Sequence, residues 1–209
     1  ICEIFRGIQG ESTYAGVPCI FLRLTGCNLR CLYCDTAYAY EEGVELSEDE
    51  IACRVAEYGI KTVEITGGEP LMQEGALRLI SRLLDSGYKV LVETNGSVEI
   101  AGVDRRAVII LDIKTPGSGM SEHNLLSNLS HLKTEDEIKF VITGRGDYEW
   151  AREFVAAYSL ADKCSVLFSP AFGSLDPQQL AGWILEDRLD VRLNLQLQKY
   201  IYGPDCRGV

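Results

Sequence analysis

The chain has 209 residues, 46% of them hydrophobic and 24% charged, with a net charge of −11. This is the composition of a globular domain with a sizeable core, and its acidity excludes the basic surface that nucleic acids require. No apolar run approaches the roughly 20 residues of a membrane span, and no secretory signal is visible. The eight cysteines lack a secreted-domain framework, which implies a reducing, cytoplasmic setting. One domain is expected over residues 1–209.

The first feature in chain order is Phe5-Arg6-Gly7-Ile8-Gln9-Gly10-Glu11-Ser12. It reads either as an exposed polar turn or as an amide and a carboxylate offered to the edge of a heterocycle. An apolar strand is expected at 19–25, then further strands at 62–66, 89–93, 107–112, 137–143 and 164–169. Most are continuous Val, Ile and Leu runs, as in parallel strands covered on both faces. A helix opens at Ser47 with Glu50 as its capping box and runs to about residue 58. Other helices are expected at 75–86, 121–132, 147–158 and 176–185. Between 94 and 106 no helical period is present. The pattern is α/β, a partial (β/α)6 barrel with reduced helical covering.

Cys27, Cys31 and Cys34 follow the first predicted strand, so one short loop aims three thiolates at a single point. Soft thiolates select zinc, copper or iron–sulfur clusters. The spacing alone does not separate iron from zinc, although a structural zinc site wants a fourth ligand and none is evident nearby. Cys2, Cys19, Cys53, Cys164 and Cys206 have no such spacing and read as core or incidental. The other unusual residues also stand at strand C-termini: Gly67-Gly68-Glu69-Pro70, Glu93-Thr94-Asn95-Gly96, Asp112-Ile113-Lys114, Thr143-Gly144-Arg145 and Ser169-Pro170. In parallel barrels that end carries the active site. Gly67 and Gly68 let bare backbone approach a ligand. Glu93 and Asn95 are candidates for ribose hydroxyls, and Asp112 and Lys114 contact a ligand or pair with each other. Arg23, Lys114, Lys139 and Arg145 are the candidate anion contacts. His123 and His131 lie on a predicted surface helix, so hydrolase schemes lack a base near the loops.

C-x3-C-x2-C is the spacing that radical S-adenosylmethionine (SAM) enzymes use for a [4Fe-4S] cluster with one free iron. The run I-Q-G-E, then G-x-P-x-x-F-x-R-L-x-G-C-N-L-R-C-x-Y-C-D-T, resembles the 7-carboxy-7-deazaguanine synthases of queuosine and deazapurine biosynthesis. The resemblance continues through G-G-E-P, E-T-N-G, D-I-K-T-P-x-S-G and L-Q-L-Q-K-Y-I-Y-G, and so covers essentially the whole chain. It implies a single radical SAM domain with N- and C-terminal substrate-binding segments, converting 6-carboxy-5,6,7,8-tetrahydropterin to 7-carboxy-7-deazaguanine with loss of ammonia and regeneration of SAM. It also implies Mg2+, a homodimer and an external reductant such as flavodoxin or ferredoxin. By the same resemblance Cys27, Cys31 and Cys34 hold the cluster and Thr36 ligates Mg2+. Gln9, Gly10, Glu11, Arg23 and Gln198 contact substrate, while Gly68, Glu69, Thr94, Asn95 and Lys114 belong to the SAM loops. Three positions depart from the family pattern: Gln198 replaces a usual His, Ser12 a usual Gly, and Tyr33 a common Trp. The alternatives are a glycyl-radical activase acting on a partner protein, and a non-enzymatic electron-transfer module.

Overall fold

The computed structural model describes residues 1–209. One eight-stranded sheet runs through the chain in sequential order. Its strands are β1 (Glu3–Ile8), β2 (Pro18–Leu24), β3 (Thr62–Gly67), β4 (Lys89–Thr94), β5 (Val108–Ile113), β6 (Glu137–Ile142), β7 (Ser165–Pro170) and β8 (Arg192–Leu193). β2 to β7 are the six expected strands, all parallel. β1 was not expected; it adds antiparallel to β2 and makes a strand of the segment leading into Gln9. The short β8 extends the opposite edge.

The apolar runs are less continuous than they read. Ile20, Leu22, Val63, Ile65, Val92 and Phe140 belong to one 33-residue core on the helix side of the sheet. Their neighbours Arg23, Glu64, Thr66, Glu93, Asp112 and Lys139 line a cavity on the other side. Successive strand residues point to opposite faces, so the covered face is apolar and the concave face is charged.

Four helices cover the apolar face: α1 (Glu48–Glu57), α2 (Glu74–Asp85), α3 (Arg145–Ala157) and α4 (Pro177–Asp187), with a short α5 (Leu197–Tyr202) in the tail. The α1 capping box is present, with the Glu50 N–H donating to Ser47 Oγ at 3.2 Å and the Ser47 N–H to Glu50 Oε2 at 2.8 Å. α2 buries Ala76, Leu79, Ile80 and Leu83, a three-and-four spacing that puts them on one face; each large aliphatic contributes about 1.5–3 kcal/mol. No helix is long and apolar enough to cross a membrane.

The helix expected at 121–132 is instead two 3-10 turns, Ser121–His123 and Leu126–Ser130. Two asparagines explain this. Asn124 bonds both the N–H and the carbonyl of Lys114, at 2.8 and 2.9 Å. The fully buried Asn128 accepts from the Ile100 N–H and donates to the Gly96 and Val98 carbonyls. Side chains that bond distant backbone hold the segment in turns that a helix would break. His123 and His131 are exposed, as expected, but on turns.

Candidate active site

The C-terminal ends of β2 to β7 open into one cavity of about 970 Å3. Cys27, Cys31 and Cys34, all half-buried, form part of its wall. Their loop is held by contacts that do not involve the thiols. Leu29 is buried, the Leu32 N–H donates to the Ser118 carbonyl at 3.0 Å, and the Gly26 N–H to the Ala39 carbonyl at 2.8 Å. Arg30 curls back onto the Cys27 and Leu29 carbonyls and lies 4.1 Å from the centre of the Tyr40 ring. Burial raises the Cys31 thiol, with the Lys114 ammonium opposing.

Gly68 packs closely against the cysteine loop. A Cβ there would collide with the Gly26 carbonyl and lie 2.8 Å from Cys27 Cβ. The glycine therefore lets β3's loop lie directly on the cysteine loop, an approach only bare backbone permits. Glu69, completely buried, ties the same loop to the next one. It accepts from the Leu71 N–H at 3.0 Å, the Asn95 N–H at 2.7 Å and the Thr94 hydroxyl at 2.9 Å. Burial raises its carboxyl, and these donors oppose the shift. Its side chain thus organises the loops, and Gly67 and Gly68 leave peptide groups beside the thiols. Asn95 directs its amide toward Cys27 Sγ at 3.7 Å and Asn28 Oδ1 at 3.3 Å.

Deeper in the cavity Lys114 pairs with Asp112 at 3.0 Å. Burial disfavours the Lys114 ammonium, but the Asp112 charge and hydrogen bond, together with Tyr33 and Cys31, outweigh it and hold the group above the ordinary lysine range. Lys139 is the hub of a larger cluster: it pairs with Glu93, with Glu11 at 3.2 Å and with Asp112 at 3.7 Å. Despite burial, those carboxylates push Lys139 well above its usual value, and Lys139 in turn holds Glu93 below the carboxylate range against its own burial. Arg23 Nε pairs with Glu3 at 3.0 Å. Arg145 is not part of the site: it pairs with Glu149 on the surface of α3.

Head and tail meet over this cluster. Glu11 accepts from the Gln196 and Gln198 amides at 3.1 and 3.0 Å, and the Leu197 N–H donates to the Gly10 carbonyl at 3.0 Å. A Cβ on Gly10 would overlap Gln198 Oε1. Ser12 adopts φ +65°, the left-handed region that favours the usual glycine. Its N–H bond to Asn194 Oδ1 at 2.8 Å and its hydroxyl's bond from the Tyr14 N–H at 3.1 Å hold it there. Residues 203–209 also line the cavity, with Arg207 3.5 Å from the centre of the Tyr38 ring.

Thr36 stands at the mouth, donating to Asp35 Oδ1 at 3.0 Å, while Lys199 bonds Asp35 Oδ2 at 2.6 Å. Crowding by protein works against the Asp35 charge, yet Lys199 and the hydrogen bonds of Lys199, Thr36 and Gln196 bring it down to about 2.

The donor set fits a thiolate-held cluster. No three His, Cys, Asp or Glu side chains converge closely enough to enclose a single ion; the soft ligands of the loop are the three cysteines along the wall, and the exposed Cys206 of the tail also borders the cavity. Three buried polar atoms bordering the cavity have no partner in the chain: Tyr33 OH, Asp112 Oδ1 and Gln198 Oε1. Such atoms are normally satisfied, and all three belong to residues that line the cavity. Glu64, which also lines the cavity, escaped the sequence reading; its signal was a lone carboxylate inside an apolar strand.

A model of the radical SAM superfamily matches residues 22–112. A 7-carboxy-7-deazaguanine synthase of Chlorobaculum tepidum is 49% identical over 100% of this chain and 96% of its own length. One from Koribacter versatilis is 50% identical, covering 100% and 99%. The crystal structure of QueE from Escherichia coli superposes with a TM-score of 0.77 at 25% identity, covering 94% of this chain and 92% of that one. Full-length similarity at this level, together with the three-thiol loop under a joined head and tail, places the chain in the 7-carboxy-7-deazaguanine synthase family of radical SAM enzymes.

Proposed function

We propose that the chain converts 6-carboxy-5,6,7,8-tetrahydropterin to 7-carboxy-7-deazaguanine, with loss of ammonia and regeneration of SAM. The observation that carries this reading is the convergence of Gln9–Glu11 with Gln196–Gln198 over the cavity that Cys27, Cys31 and Cys34 line. Cys27, Cys31 and Cys34 would hold a [4Fe-4S] cluster. When bound, it supplies the electron that splits SAM into methionine and a 5′-deoxyadenosyl radical.

The chain's own residues bind and orient. Arg23 uses Nε on Glu3, and its terminal nitrogens pair the pterin carboxylate in a bidentate way. Glu11 accepts from the heterocycle's N–H groups, and Gln198 Oε1 takes one further donor. Gln198, unlike histidine, does this without titrating. Peptide groups at Gly68, with Thr94, Asn95 and Lys114, hold SAM. Thr36 gives one hydroxyl to Mg2+, a cation that keeps several waters and takes its other oxygens from substrate. The protein works as a cytoplasmic homodimer with an external flavodoxin- or ferredoxin-type reductant. The activase alternative has no support among the relatives, which carry the synthase name.

The test is anaerobic turnover of reconstituted protein with dithionite, SAM, Mg2+ and the pterin, followed by mass spectrometry. Deazaguanine formed without stoichiometric loss of SAM is expected. SAM cleavage to 5′-deoxyadenosine without deazaguanine would sink the substrate assignment. Thr36→Ala is expected to keep full iron content and lose the Mg2+ stimulation of turnover. An unchanged Mg2+ response in that variant would refute the metal role.

A further inference from the structure

Glu64 lies on β3 at the cavity floor, 4% exposed. Its register neighbours are Phe21 on β2 and Leu91 on β4. A buried carboxylate in such a layer is costly unless it is paired. No cation pairs with it: Lys139 bonds Glu11, Glu93 and Asp112, and Arg23 bonds Glu3. Its hydrogen-bond partner is the Gln9 amide.

Gln9 is fixed from the other side as well. Its Oε1 accepts from the Glu11 N–H at 2.9 Å, its N–H donates to the Val17 carbonyl at 2.8 Å, and its carbonyl accepts from the Gly16 N–H at 2.8 Å. With Oε1 so occupied, Nε2 is the atom that faces Glu64. The Gln9 side chain therefore spans from Glu64 to the backbone of Glu11, whose carboxylate meets Lys139, Gln196 and Gln198.

We propose that Glu64 is a positioning residue for substrate, accepting the Gln9 amide and through it fixing the turn that aims Glu11 into the cavity. This rests on the pterin reading of the site. Burial, then the negative charges of Glu93 on β4 and Glu11 in the head, push the Glu64 carboxyl well above the carboxylate range, while Lys139 on β6 and Arg23 on β2 oppose this. The Cys19 thiol on β2 also faces it, itself raised by burial. Glutamine at this position keeps the shape of the side chain and one accepting oxygen.

The test uses reconstituted enzyme with SAM and no reductant, titrated calorimetrically with the pterin, and separately with SAM alone. Glu64→Gln is expected to bind the pterin within about threefold of wild type. Glu64→Leu is expected to weaken it about tenfold, the worth of one hydrogen bond of roughly 1.4 kcal/mol. SAM affinity, iron content and melting temperature should be unchanged or, for melting, higher. Gln9→Leu should reproduce the loss, and the double variant should add nothing to it, because coupled residues are non-additive. The proposal is overturned if Glu64→Leu binds the pterin normally, if Glu64→Gln is as weak as Glu64→Leu, if SAM binding falls in parallel, or if the two losses add. A wild type that binds no pterin refutes the substrate reading, and the Glu64 role falls with it.

Discussion

Cys31→Ala will fold normally and fail to hold a four-iron cluster, with reductive cleavage of SAM reduced to background. The loop that carries Cys31 is shaped by Leu29, by the Leu32–Ser118 backbone bond and by Arg30 on two carbonyls. None of these depends on the Cys31 sulfur. Without it the loop offers two thiols, Cys27 and Cys34. Iron and acid-labile sulfide assays on the reconstituted variant measure the first effect, and 5′-deoxyadenosine yield the second. Cys53→Ala, on the exposed side of α1, should load and react as wild type does. Retained SAM cleavage in Cys31→Ala would contradict the ligand assignment.

Lys139→Met should lose about 3–5 kcal/mol of stability, the cost of breaking a buried ion pair from one side. Lys139 is the cation that Glu11, Glu93 and Asp112 share. Removing it leaves carboxylates facing one another in a poorly solvated cavity, and the substrate-binding head loses the anchor of Glu11. The sign of the pH dependence follows from Glu93, which Lys139 holds below the usual carboxylate range. That contribution is fully present above the ordinary glutamate value and is lost as pH falls through the lowered one. The gap between wild type and variant, measured by denaturant unfolding, should therefore be largest near neutral pH and shrink in acid. Adding Glu93→Gln to the variant should recover part of the loss. A gap that does not change with pH would show that Lys139 acts by packing alone.

The six parallel strands were legible because each carries a run of β-branched and aliphatic residues bounded by Gly, Pro or Asx turns. Their common site was legible because the cysteine loop, Gly67-Gly68-Glu69-Pro70, Glu93-Thr94-Asn95-Gly96 and Asp112-Ile113-Lys114 all fall at C-terminal strand ends. The charged inner face was harder to see. Glu64, Glu93, Asp112 and Lys139 each interrupt an apolar run only once, so a one-dimensional reading registers the run and not the face. The helix expected at 121–132 failed for a related reason. Its apolar period was real, but Asn124 and Asn128 had partners at Lys114 and residues 96–100 that no local rule reveals.

By itself the sequence determined the thiolate loop, the strand-and-helix order and the resemblance that fixes the family, since spacing within one loop and alternation within one strand are local properties. Only the tertiary structure decided what those residues do for one another. Gly68 is a contact surface for the cysteine loop, Glu69 a tie between loops, and Lys139 the shared partner of three carboxylates drawn from the head and two strands. Glu64 became visible as the support of Gln9, 55 residues away. Electrostatic pairing and burial depend on distance in space, and chain order does not encode it.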